Sequence, residues 1–263
     1  MDLGLKDKTA LVTGASSGLG FASAMALVRE GVSLAINSRS KENLSKAADK
    51  IEDETGRRPI TVVGDLSGTG TAEVIARAAA DRLGAVDILV SNAGGPPAGP
   101  FLKHDPDTWR QAAELTLHSA IDLTRAVLPL MQAKRWGRII YITSMAVRQP
   151  ADNLIISNTL RAGLTGFAKT ISNEFASEGI TVNTVCPGYT NTERLGYLAK
   201  NISEQTGQSI ADVFRGWKES IPCKRLGEPE EPADLICFLA SRRAAYITGT
   251  AIPVDGGYIK GLL

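Results

Sequence analysis

Between residues 9 and 30 the chain runs from a short apolar segment through a glycine turn into an alanine-rich helix. Thr9-Ala10-Leu11-Val12-Thr13 has the unbroken apolar character of a strand covered on both faces, TGASSGLG occupies residues 13–20, and helical spacing follows from Phe21 to Glu30. A buried strand that empties through glycines into a helix points to a parallel sheet crossed by helices. The rest of the chain repeats this alternation. Strands are expected at Val32–Ile36, Pro59–Val63, Ile88–Val90, Ile139–Thr143, Ile180–Val185 and Ala251–Val254. Helices are expected at 40–54, 71–83, 106–133, 153–175 and 232–242, the first of them capped by Ser40. Seven strands separated by helices give an α/β fold, a doubly wound parallel sheet with helices on both faces. At 263 residues the chain suits a single domain with a large core. Residues 193–220 interrupt the alternation, and the segment 189–220 is the expected cover of a ligand site.

The order strand, glycine turn, helix N-terminus is the order needed to hold a phosphate. Gly14 permits a tight turn, Gly18 and Gly20 allow close approach of backbone and ligand, and the free N–H groups around Ser16, Ser17 and Leu19 attract the anion. The spacing is Gly-x3-Gly-x-Gly, and a plain strand-to-helix turn is the competing reading. The second strand ends in Asn37-Ser38-Arg39, about twenty residues past the glycines, where a dinucleotide-binding unit meets the adenosine ribose. An acidic residue there would repel a 2′-phosphate, whereas Ser38 with Arg39 beside it suits one. NADP(H) is therefore expected in preference to NAD(H). Gly64-Asp65-Leu66, Asn92-Ala93-Gly94 and Pro187-Gly188 each fall just past a strand C-terminus, where open parallel sheets bind ligands.

Charge and cysteine usage exclude other classes. Twenty-nine basic and 28 acidic residues nearly cancel without a basic block, which argues against nucleic-acid or membrane-surface binding. No apolar run reaches the roughly 18–20 residues of a membrane helix, and no secretory signal is visible at the N-terminus. Cys186, Cys223 and Cys237 lack metal-ligand spacing and are expected to be small buried hydrophobes in a cytoplasmic protein, so no metal site is expected.

A second stretch, SMAVRQPADNLIISNTLR at 144–161, follows the fifth expected strand. Ser144 sits at the strand tip. The next helix carries Leu154, Leu160, Leu164, Phe167, Ala168, Ile171 and Phe175 as an apolar stripe, with Ser157 and Arg161 four apart on one face. A strand-tip serine thus looks across at a serine and an arginine.

Taken together, TGASSGLG, Asn92-Ala93-Gly94, Ser144, Pro187-Gly188 and LASRRAAYITGTAIPVDGG resemble the short-chain dehydrogenase/reductase family over residues 6–258. The resemblance implies a Rossmann fold, a nicotinamide cofactor over the C-terminal edge of the sheet, a small-molecule substrate, and a homo-oligomer, tetramer or dimer, built partly on the two long middle helices. It also implies that Asp65 and Leu66 contact adenine, that Asn92, Ala93 and Gly94 floor the adenosine side, and that Thr190 or Thr192 holds the nicotinamide amide. The family's usual site has a serine, a tyrosine thirteen residues later, a lysine four after that, and often an asparagine on the preceding helix. Here Ser144 keeps the serine, while Ser157, Arg161 and Thr116 stand at the other three positions.

The substitutions redirect the chemistry. A serine hydroxyl is far less acidic than a phenol, and an arginine, with a pKa above about 12, does not give up its proton near neutrality. Arg161 can still donate to ribose hydroxyls or to a developing oxyanion, with Ser144 as a second donor. Alcohol oxidation lacks a base, and ketone reduction needs a relayed proton. Conjugate reduction needs only hydride delivery and enolate stabilisation, so a reductase of carbonyl or enone substrates is expected. The alternative is a protein that binds NADP without catalysis, as sensor or scaffold. Tyr189, Tyr141 and His118 are the other candidate proton donors, and Arg148 and Arg194 could bind an anionic substrate.

Overall fold

The computed structural model describes residues 1–262. Seven strands, β1 (Thr9–Val12), β2 (Ser33–Ser38), β3 (Ile60–Val63), β4 (Ile88–Ser91), β5 (Gly137–Ile142), β6 (Ile180–Pro187) and β7 (Ala251–Val254), form one sheet in the order β3-β2-β1-β4-β5-β6-β7. Every pairing is parallel. The strand order reverses between β1 and β4, and this is where such a sheet opens a crevice at its C-terminal edge.

The apolar strands are explained by what covers them. Ala10 and Val12 face one helical layer and Leu11 the other, so alternate residues of the same strand enter different cores. On the first face lie α1 (Gly18–Arg29), α2 (Lys41–Thr55) and α9 (Glu230–Ala240), contributing Leu27, Leu44, Ile51, Ile236 and Leu239. On the second lie α3 (Thr71–Leu83), α5 (Ser119–Lys134) and α6 (Ile155–Phe175), contributing Ile75, Leu123, Met131 and Leu164. The helix starts are set by local chemistry: the Ser40 hydroxyl accepts from the Asn43 N–H at 3.2 Å, and Asp105 accepts from the Thr108 N–H at 2.7 Å ahead of Pro106.

Three expectations are revised. α1 begins at Gly18 rather than Phe21, so the last glycines of the turn are already helical. The stretch 106–133 is not one helix but α4 (Pro106–Ala113) and α5 joined by a wide π-helical turn, Glu114–His118. Cys186 and Cys237 are buried, but Cys223 is exposed. Residues 193–220 resolve into two helices, α7 (Glu193–Thr206) and α8 (Ile210–Ser220), with Thr192 capping α7 through the Leu195 N–H and Ser209 capping α8.

Candidate active site

A cavity of about 600 Å³ follows the C-terminal edge of the sheet. One end is bounded by Asn37, Ser38, Arg39, Asp65 and Leu66, the other by Ser144, Ser157, Arg161, Arg194 and Leu198. All but one of the sequence-derived site residues line it: Gly14, Ser16, Ser17, Gly18, Leu19, Ser38, Arg39, Asp65, Leu66, Asn92, Ala93, Gly94, Ser144, Ser157, Arg161, Pro187, Gly188, Thr190 and Thr192. Gly20 lies behind the wall. A Cβ there would stand 2.2 Å from the Gly14 carbonyl oxygen, so its role is to let helix and turn pack together.

The glycine end is built of backbone. Gly14 has φ +56°, and a Cβ on it would meet the Asn92 side-chain nitrogen at 2.8 Å. The Asn92 amide donates to the Gly14 carbonyl at 3.1 Å, while the Thr13 hydroxyl donates to the Asn92 carbonyl at 2.8 Å. The Asn-Ala-Gly turn is therefore tied to the glycine turn. Ser17 precedes α1 without capping it through its side chain, which leaves the helix's first N–H groups to face the cavity. Asn37 donates to the Val62 and Gly64 carbonyls, and its own Oδ1 is buried without a partner at the cavity wall. Hydrogen bonds from the Ser67 backbone and hydroxyl, reinforced by the nearby Arg39 guanidinium, hold the Asp65 carboxyl below its ordinary range. A Cβ-free cradle, an uncapped helix N-terminus, an unpartnered acceptor and an arginine beside it fit the phosphates and ribose of a dinucleotide.

The serine end is built of side chains. Ser144 follows β5 and caps a single 3₁₀ turn, its hydroxyl accepting from the Ala146 N–H at 3.1 Å. Ser157 lies in the first turn of α6, buried at the cavity wall. Arg161, one turn on, is 8% exposed and donates from Nη1 to the carbonyls of Ile142 at 2.8 Å and Thr143 at 3.1 Å. Those carbonyls end β5, so the arginine clamps the strand tip that carries Ser144. Burial, and then the Arg194 guanidinium, push Arg161 down to about 10, which leaves it charged at neutral pH. The site can therefore donate hydrogen bonds and positive charge but has no group that exchanges a proton readily near pH 7.

The remaining candidates separate clearly. Tyr189 and Arg194 line the cavity, and burial, followed by Tyr258, raises the Tyr189 phenol. Tyr141 is in the core, its hydroxyl 2.6 Å from that of Thr124. His118 faces outward 3.4 Å from Glu114, and Arg148 donates to the Ala251 carbonyl rather than lining the cavity. Thr116 sits in the π-helical turn with its hydroxyl buried and unpartnered, outside the cavity lining. The Thr190 hydroxyl donates to the Gly188 carbonyl and that of Thr192 to the Thr190 carbonyl, so both are occupied within their own loop. Leu115, Met145, Leu154 and Leu198 supply an apolar wall that sequence reasoning missed. Their only signal was apolar character in segments that read as ordinary helix or loop. Among the described residues no cluster of His, Cys, Asp or Glu could hold a metal ion, and no helix is long and apolar enough to cross a membrane.

Comparison with known proteins agrees with this geometry. The family model described as enoyl-(acyl carrier protein) reductase matches residues 14–259. The chain is 34% identical to 2,3-dihydroxy-2,3-dihydro-p-cumate dehydrogenase of Pseudomonas putida over 97% of this chain and 95% of that one. It is 35% identical to 3-oxoacyl-[acyl-carrier-protein] reductase of Vibrio cholerae over 97% of this chain and 98% of that one. Among solved structures, L-sorbose reductase from Gluconobacter frateurii, complexed with NADPH and L-sorbose, superimposes with a TM-score of 0.93 at 32% identity, covering 100% of both chains. These relatives are oxidoreductases by name, and they lend no support to the sensor or scaffold alternative. With a cofactor-shaped cleft on a seven-stranded doubly wound sheet and relatives matched along nearly their full length, the chain is an oxidoreductase of the short-chain dehydrogenase/reductase family.

Proposed function

We propose that the protein is an NADPH-dependent reductase of carbonyl or conjugated enone substrates, with the enone class best matched to the site. One observation carries this reading: a single cavity joins a phosphate-shaped backbone cradle to Ser144, Ser157 and Arg161, which donate hydrogen bonds but do not readily move protons. NADPH supplies a hydride when bound. Arg39 and Ser38 would hold its 2′-phosphate, the glycine turn and the start of α1 its pyrophosphate, and Arg161 its nicotinamide ribose. The NADPH complex of the sorbose reductase supports the choice of NADP(H).

At the reacting end, Ser144 and Arg161 stabilise negative charge on the substrate oxygen as hydride arrives. For a conjugated carbonyl that charge is an enolate, which solvent can protonate later, so no acid is needed at the oxygen during hydride transfer. A simple ketone would require a water held by Ser144, Ser157 and Arg161 to pass the proton. The apolar wall of Leu115, Met145, Leu154 and Leu198 excludes bulk water and strengthens these interactions. We take α7 and α8 as the cover of the substrate end in a single-domain protein, and α5 and α6 as part of a homo-oligomeric contact.

Stopped-flow measurement of NADPH consumption against panels of ketones and α,β-unsaturated carbonyls tests the reading. Turnover with the enone panel exceeding that with ketones is the expected result. Absence of turnover with both panels, with NADPH binding intact, overturns it.

A further inference from the structure

The serine end of the cavity carries more positive charge than reduction of a neutral substrate needs. Arg161 and Arg194 both line it, the first buried and the second half-buried, and neither has a carboxylate among the groups that act on it. Arg194 donates from Nη2 to the Pro96 carbonyl at 2.6 Å, and a Cβ on Gly95 would meet its Nε at 2.6 Å. The side chain therefore lies across the loop that follows Asn92-Ala93-Gly94, held at one nitrogen by a neutral acceptor. Arg161 is likewise held only by the neutral carbonyls of Ile142 and Thr143. The other ionisable groups of the cavity are Arg39 and Asp65 at the glycine end, the Tyr189 phenol, raised by burial, and Glu193, exposed at the first turn of α7. None forms an ion pair with either arginine among the described residues, and the Arg194 guanidinium lies 5.4 Å from the centroid of the Tyr197 ring.

A buried cation beside a half-buried one, with no carboxylate paired with either among the described residues, stays charged at a cost that a bound anion would reduce. We propose that Arg194, backed by Arg161, forms a subsite for a carboxylate carried by the substrate, so that the enzyme reduces carbonyl or enone acids rather than their neutral counterparts. This rests on the reductase reading above and narrows it to a substrate class. Arg194 supplies the planar donor fork that suits a carboxylate, and Arg161 adds the second charge. The cofactor's pyrophosphate is the other possible source of an anion. It is matched by the glycine turn and the uncapped start of α1, whereas Arg194 shares its end of the cavity with Met145, Leu154 and Leu198.

Calorimetric binding of acetate, benzoate and 4-phenylbutanoate, each against its amide, to the full chain saturated with NADP⁺ tests the subsite without requiring turnover. At least one acid should bind about tenfold more tightly than its amide, and Arg194→Gln should erase that preference while changing NADP⁺ affinity by less than about threefold. Arg161→Lys, which keeps the charge, should retain most of the preference. Equal binding of acid and amide, or no binding of either, overturns the proposal. So does an Arg194→Gln variant that weakens NADP⁺ as much as the acid, which would assign the arginine to the cofactor phosphates. If the protein does not take up NADP⁺, the reductase reading fails by itself, and the same acid-to-amide comparison on the protein alone still decides the subsite.

Discussion

At its glycine end the cavity wall is main chain, with Gly14 at φ +56°, Gly20 against the Gly14 carbonyl, and the first N–H groups of α1 left uncapped. At its serine end the wall is side chain, with Ser144 on a 3₁₀ turn, Ser157 and Arg161 on α6, and Arg194 on α7. The two ends tolerate change differently. A backbone cradle admits no larger residue without moving the chain, so its sequence must spell out its geometry. A side-chain wall can exchange one functional group for another on the same scaffold, and the wall here presents two serine hydroxyls and two arginines.

The largest effect should come from breaking the backbone end. Gly20→Ala places a methyl group 2.2 Å from the Gly14 oxygen, and the backbone shift this forces should cost about 3 kcal/mol. That loss should be read in urea unfolding, and the displaced Gly14 turn should separately weaken NADPH by about 100-fold in a fluorescence titration. At the serine end, Arg161→Met should leave the Ile142 and Thr143 carbonyls without their donor. A loss of about 2 kcal/mol in urea unfolding and about 100-fold in NADPH turnover are expected together. Arg39→Ala sharpens the contrast because it touches only the phosphate end. NADPH should bind about tenfold more weakly while NADH binding stays unchanged.

These differences also explain what the sequence revealed. The central strands were legible because they are buried on both faces and therefore largely apolar, as in Ile139-Ile140-Tyr141-Ile142, whereas the edge strands β3 and β7 are only partly covered. The glycine end was legible because φ +56° at Gly14 and the close approach at Gly20 demand glycine. The π-helical turn at 114–118 was hidden, since Glu114-Leu115-Thr116-Leu117-His118 satisfies ordinary helical spacing on both sides. The apolar wall was hidden too, because Met145, Leu154 and Leu198 look like any core residues until the chain folds. Arg194 was visible only as one of two loop arginines, beside Arg148; its partial burial and its bond to Pro96 depend on α7 crossing to the 95–96 loop.

A smaller effect should come from Ser144→Ala. The hydroxyl is one donor beside Arg161, so turnover should fall about five- to tenfold with NADPH affinity unchanged. A much larger loss would make Ser144, rather than Arg161, the main oxyanion donor.

In the proposed reaction hydride is delivered at a site without a group that titrates near neutrality. The most direct test is the pH dependence of the single-turnover rate of NADPH oxidation with an enone substrate. Arg161, held at about 10 by burial and by Arg194, keeps its charge from pH 7 to pH 9 and loses it above about pH 10, so the rate should be flat across that window and fall beyond it. A rate that drops tenfold per pH unit within the window, as a general acid loses its proton, would contradict the account.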